Sequence, residues 1–179
     1  MKIARWRLIP LILFILLLAF FWRGLSLDPQ HLPSTKLGKP LPRFRISTLD
    51  GGPEVVMTDA SFKGSMALLN VWASWCEACN EEQVFLMTLA QEGVVIYGLN
   101  YKDKRRAARA WLAEWGNPYK MVGEDREGQL GIDLGVYGAP ETFLIDKNGI
   151  IQYRHVGVLT VNDWKRDFLP RIHAMEKAA

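Results

Sequence analysis

The chain has 179 residues, about the size of one domain, and its 49% hydrophobic and 23% charged residues exclude a disordered polypeptide. The formal charge of +3 sits at one end: Lys2, Arg5, Arg7 and Arg23 are four of the 22 basic residues, and the rest has 18 basic against 19 acidic side chains, a net of −1. That near-neutral body offers no basic domain for nucleic acid, and two cysteines, Cys76 and Cys79, are too few and too close for a disulfide framework.

Residues 8–22 run without a charge between a basic start and Arg23. As a helix this stretch is short for a bilayer, and extension to Leu27 with Arg23 snorkelling reaches about 20 residues. Trp6 and Trp22 flank it as interfacial aromatics do, which favours a retained anchor, while Gly24-x-Ser26 leaves signal-peptide cleavage open. In either case the positive-inside rule leaves the N-terminus in the cytoplasm and exports the remainder. In a bacterium this gives a single-pass inner-membrane protein with a periplasmic body. The expected organisation is an anchor at 1–23, a proline-bearing tether at 24–42 and a folded domain at 43–179.

Within the body, residues 55–58 suggest a short edge strand and residues 66–73 (MALLNVWA) a buried central strand. Residues 76–92 read as a helix stopped at Gly93, 94–99 as the next strand, and 104–115 as an amphipathic helix. Residues 142–146 and 150–153 flank an Asn148-Gly149 hairpin tip. A last helix carries Trp164, Phe168, Ile172 and Met175 on one face. This order predicts an α/β sandwich with a mixed sheet.

The chemistry concentrates at Trp75-Cys76-Glu77-Ala78-Cys79, where a strand hands a C-x-x-C to the first turn of a helix. Free N–H groups and the helix dipole favour a thiolate on Cys76, the expected nucleophile. Cys79, one turn inward, is placed to resolve a mixed disulfide. A zinc site is disfavoured, because there is no second C-x-x-C and His31, His155 and His173 are scattered; no metal or cofactor beyond the cysteine pair is expected. Pro140, just before a predicted strand, reads as either a cis turn or an ordinary loop proline.

Leu37-Gly38-Lys39-Pro40-Leu41-Pro42, the stretch from Leu68 to Cys76, and Gly135-Val136-Tyr137-Gly138-Ala139-Pro140-Glu141-Thr142-Phe143-Leu144-Ile145-Asp146 together resemble the thioredoxin superfamily. More narrowly, they are similar to the TlpA-like branch and its membrane-anchored CcmG/DsbE thiol:disulfide interchange proteins of cytochrome c maturation. The likeness covers residues 37–175 and implies a thioredoxin-like three-layer α/β/α sandwich behind the membrane helix. It also implies a cis Pro140 which, with Ala139, presents backbone beside Cys76 to an extended substrate, with Trp75 and Glu77 also at the substrate. Residues 124–134 would be an extra helical segment. The implied substrate is the apocytochrome c C-x-x-C-H disulfide or a partner thiol protein of that pathway, and the implied electron donor is a membrane protein of DsbD or CcdA type. A general TlpA-like reductase, a peroxide-reducing relative and an apocytochrome- or haem-binding module without turnover are the alternatives.

Two departures shape the expectation. Asn70 stands where thioredoxin has a buried Asp, so Glu141, beside Pro140, is expected to supply the proton-accepting carboxylate or to be a structural hydrogen-bonding group. Glu77, with Glu81 and Glu82, makes the site acidic, which opposes a thiolate and favours a reductant over an oxidase. The Lys102, Lys104, Arg105, Arg106 and Arg109 cluster reads more as a solvated helix face than as a docking patch.

Overall fold

The structure, a computed structural model, describes residues 9–25, 36–51 and 54–177, and the chain divides after Pro33 into two units. The first holds α1 (Ile9–Leu25), whose 17 residues carry exposed apolar side chains such as Leu13, Phe20 and Trp22. Among the described residues, no helix is long and apolar enough to cross a membrane. The flanking Lys2, Arg5, Trp6 and Arg7, Ser26 of the cleavage pair, and Pro29, His31 and Pro33 of the tether lie outside the described residues.

The second unit is built on a five-stranded sheet. β1 (Arg45–Ser47) and β2 (Val56–Thr58) form a small antiparallel pair at its flank. β3 (Ala67–Trp72), α2 (Glu77–Gln91), β4 (Ile96–Tyr101), α3 (Arg105–Trp115) and β5 (Met121–Asp125) follow. The chain then makes α4 (Gln129–Leu134), β6 (Glu141–Ile145), β7 (Ile151–Val156), α5 (Val161–Asp163), a π-helical turn over Trp164–Phe168 and α6 (Leu169–Lys177). Strand order is β5-β4-β3-β6-β7, with β3, β4 and β5 parallel and β6 and β7 antiparallel to their neighbours.

All six residues of β3 are buried, as a strand covered on both faces requires. Alternation sends Leu68 and Trp72 into the layer shared with α2, α3 and the C-terminal helix, and Ala67, Leu69 and Val71 into the layer with Met57, Leu130 and Leu134. The expected mixed-sheet sandwich is therefore present. Trp72 fixes the first layer, with its ring 4.9 Å from Trp111 and stacked 5.6 Å from Tyr119. Each such aromatic pair contributes about 0.5–1.5 kcal/mol beyond burial.

Several boundaries differ from the sequence reading. β1 and β5 were not expected, since a three-residue strand with one apolar side chain and a strand ending Glu-Asp carry little apolar signal. Of the segment expected as helical over 124–134, only α4 is helix; Glu124 and Asp125 close β5, and Asp125 accepts from the Leu130 and Gly131 N–H groups at 3.2 and 2.8 Å. The folded body also starts before residue 43: Gly38 N–H donates to Ile151 O (2.8 Å), Leu41 N–H to Gly149 O (2.9 Å), and Leu41 is buried.

Candidate active site

Cys76 is the N-cap of α2, and its Sγ accepts a hydrogen bond from Cys79 N–H at 3.2 Å. The two cysteines form a disulfide with Cα atoms 5.4 Å apart. Cys76 retains 5% exposure and Cys79 1%, so Cys76 is the outer sulfur. Its place at the helix start means that the thiolate released on reduction receives an N–H and the positive dipole end.

The turn before Cys76 is pinned from the β4–α3 connection. Asp103 accepts from Ser74 N–H at 2.6 Å and from Ser74 Oγ at 2.8 Å, and Trp75 Nε1 donates to Lys102 O at 3.1 Å. Trp75 is thereby held with 56% of its surface open beside the disulfide. Glu77 is exposed on the first turn of α2.

The Ala139–Pro140 peptide bond is cis. Ala139 packs against the same apolar cluster that contains Cys76 and Cys79. The loop is fixed by Glu141, whose Oε1 accepts from Tyr137 N–H (2.8 Å) and Gly138 N–H (3.4 Å). Its Oε2 accepts from Arg154 Nε at 2.8 Å, in an ion pair with both side chains nearly fully buried. Burial pushes the Glu141 carboxyl above its ordinary value, and the Tyr137 N–H and Arg154 pull it back.

This arrangement corrects the expectation that Glu141 accepts a proton at the thiols. Phe143 and Ile145, on its side of β6, face the layer away from the cysteines, whereas Leu144 faces the cysteine layer. On that layer Glu141 is bound to the loop and to Arg154. The structural alternative is the one that the geometry supports.

A different carboxyl lies behind the disulfide. Glu82, three residues beyond Cys79 on the buried face of α2, is 1% exposed. Its Oε1 accepts from Asn70 Nδ2 at 2.8 Å and its Oε2 from Leu159 N–H at 2.7 Å. Asn70 also donates to Thr142 Oγ1 at 3.1 Å and accepts from Tyr119 Oη at 2.8 Å. Burial raises the Glu82 carboxyl to about 7, against the pull of the Leu159 and Asn70 donors. A carboxyl that is half ionised near neutrality, one turn behind the resolving sulfur, can accept and return the Cys79 proton. The helix thus brings a buried carboxyl against Asn70.

A family description, Redoxin, matches residues 36–167. The thiol:disulfide interchange proteins DsbE of Pseudomonas fluorescens biotype C and Escherichia coli strain K12 are 48% identical over 172 residues and 45% over 177, each match covering 96% of both chains. The chain belongs to the DsbE family of thiol:disulfide interchange proteins. A solved structure described as a thiol:disulfide interchange protein DsbE from Chlorobium tepidum matches with a TM-score of 0.61 at 27% identity, covering 80% of this chain and 98% of that one. The DsbE relationship makes Cys76–Cys79 the exchanging pair of a disulfide oxidoreductase.

Glu82 was legible only as part of an acidic helix start. The signal that separates it is its period: Cys79, Glu82, Leu86 and Leu89 share the buried side of α2, while Glu81 points outward. Arg154 carried no comparable mark. Among the described residues, no group of three or more His, Cys, Asp or Glu side chains could hold a metal ion. His155 Nε2 lies 3.0 Å from Val158 O.

Proposed function

We propose that this DsbE protein is a membrane-anchored periplasmic reductant of cytochrome c maturation, delivering electrons to the apocytochrome c C-x-x-C-H disulfide or to a partner thiol protein of that route. The observation that carries the direction of transfer is the buried Glu82 behind the disulfide, reinforced by exposed Glu77 and Glu81. Carboxylates around a dithiol oppose its thiolate form, so the reduced state gains little stabilisation and the disulfide is a weak oxidant.

In the forward reaction the Cys76 thiolate attacks a substrate disulfide, forming a mixed disulfide and releasing one substrate thiolate. Cys79, losing its proton toward Glu82, then attacks the Cys76 sulfur. The second substrate thiolate leaves, two electrons have passed to the substrate, and Cys76–Cys79 is a disulfide, as in the structure. A membrane thiol donor of DsbD or CcdA type would restore the dithiol. Trp75 precedes Cys76 and Ala139 packs on the cluster that holds both cysteines, so an extended substrate segment would lie along Trp75 and the Ala139–Pro140 backbone.

The membrane reading rests on α1. Its 17 residues span about 26 Å at 1.5 Å each, close to the roughly 30 Å of bilayer hydrocarbon. The side chains of residues 9–22 are apolar and exposed, and Arg23 lies in the last turn of α1. Reduction of an oxidised C-x-x-C-H peptide by the reduced chain tests the activity: rapid thiol release supports it, and absence of transfer contradicts it.

A further inference from the structure

Beside the active-site turn lies a cleft of about 630 Å³ lined by Asp103, Lys104, Arg105, Arg106, Arg109 and Arg126. Five of these six side chains are cationic. Asp103, the acid among them, faces inward, accepting from Ser74, Asn100 Nδ2 and Lys104 N–H. Arg105 is bonded to Glu124, Arg126 lies 3.7 Å from the same carboxylate, and Arg109 lies 3.4 Å from Asp50. Lys104 and Arg106 are exposed and have no ion-pair partner among the described residues.

Fold stability accounts for Arg105, which meets the buried Glu124, and for Arg109, which bonds Leu49 O, but not for the unpaired Lys104 and Arg106. Lys104, Arg105 and Arg106 occupy the first positions of α3, where cations oppose the helix dipole, and its first turn contains no acid. Lys102, next to Asp103, holds φ at +48, a left-handed conformation unusual for a residue with a side chain. In that conformation its carbonyl receives the Trp75 indole.

We propose that this cleft is a docking subsite for acidic side chains of the polypeptide whose cysteine is exchanging at Cys76. Location selects this occupant. Asp103 is bonded to Ser74, and the two residues from Ser74 to Cys76 span at most about 7 Å, so a segment joined through sulfur to Cys76 reaches the cleft within a few residues. The charges are also segregated by element, with Glu77 and Glu81 exposed on α2 and the cations on α3 and at Arg126. A partner with an acidic flank is steered into one orientation, and a basic one is repelled. The inference rests on Cys76 being the sulfur that meets the partner, whichever way electrons flow.

The test compares two oxidised peptides, identical except that three Glu residues beside the cysteine in one are Gln in the other, reacting with the reduced full-length chain. The acidic peptide should react about tenfold faster at low salt, with the preference fading as salt is added. Lys104→Glu with Arg106→Glu should abolish that preference and leave the neutral peptide within about twofold. These changes place acids at a helix N-terminus, so folding is not at risk. Equal rates for both peptides, or an unchanged preference in the variant, overturn the proposal. It is also overturned if anionic lipid vesicles are bound by the wild type and released by the variant while peptide rates stay the same. Failure of both peptides to react at all contradicts instead the exchange chemistry on which the subsite depends.

Discussion

Asn70 on β3 and Glu82 on α2 meet through a 2.8 Å hydrogen bond behind the disulfide, and this contact joins the central strand to the redox helix. It has a stability signature. The Glu82 carboxyl is raised from 4.5 to about 7 by burial. Between those values the folded chain holds a proton that the unfolded chain has released. This group's contribution is therefore whole below about pH 4.5 and lost as pH rises to 7, by up to about 3 kcal/mol. Urea titrations of the oxidised protein across this range should show a steeper fall for wild type than for Glu82→Gln. Equal slopes would contradict the assignment.

The same carboxyl should shape the kinetics. Resolution of the mixed disulfide by Cys79 is expected to show an inflection near pH 7 that Glu82→Gln removes. Stopped-flow thiol release is the measurement. An inflection that survives the substitution would place the proton elsewhere.

The order of the two sulfurs predicts different lesions. Cys79→Ser should accumulate a mixed disulfide on Cys76 and lose turnover, while Cys76→Ser should form none, because the outer sulfur alone meets the partner. Mass spectrometry of the quenched reaction separates these outcomes.

Arg154 and Glu141 form a buried pair behind the Pro140 loop, and the Arg154 guanidinium also lies 4.7 Å from the Tyr137 ring. Arg154→Met keeps the volume but strands Glu141, which should cost about 3–5 kcal/mol in denaturant unfolding. Glu141→Gln should slow exchange with a peptide more than exchange with a small disulfide, since it loosens the loop but leaves the sulfurs in place. Equal slowing of both would contradict a positioning role.

Much of this site was legible in the sequence because its signals are local. The C-x-x-C at a strand–helix junction, the periodicity of α2 and α3, and the Asn148-Gly149 hairpin each specify their own geometry within a few residues. The parts that escaped depend on pairing across the fold. β5 ends in Glu124 and Asp125, which become buriable only because Arg105 and the α4 N–H groups meet them. For Glu141 its neighbour Pro140 suggests a place at the thiols beside the structural alternative, but strand alternation turns it to the opposite layer, where Arg154 holds it. Proximity in sequence misled where the face of the strand decided.

The most direct measurement is the reduction potential of Cys76–Cys79 in the full-length chain, equilibrated against glutathione and dithiothreitol with trapping of free thiols. An acidic, carboxyl-backed dithiol should be more reducing than about −180 mV, on the reductant side of protein disulfide isomerase. A value above that, toward the roughly −120 mV of a disulfide-forming oxidase, would contradict the proposed direction of electron flow.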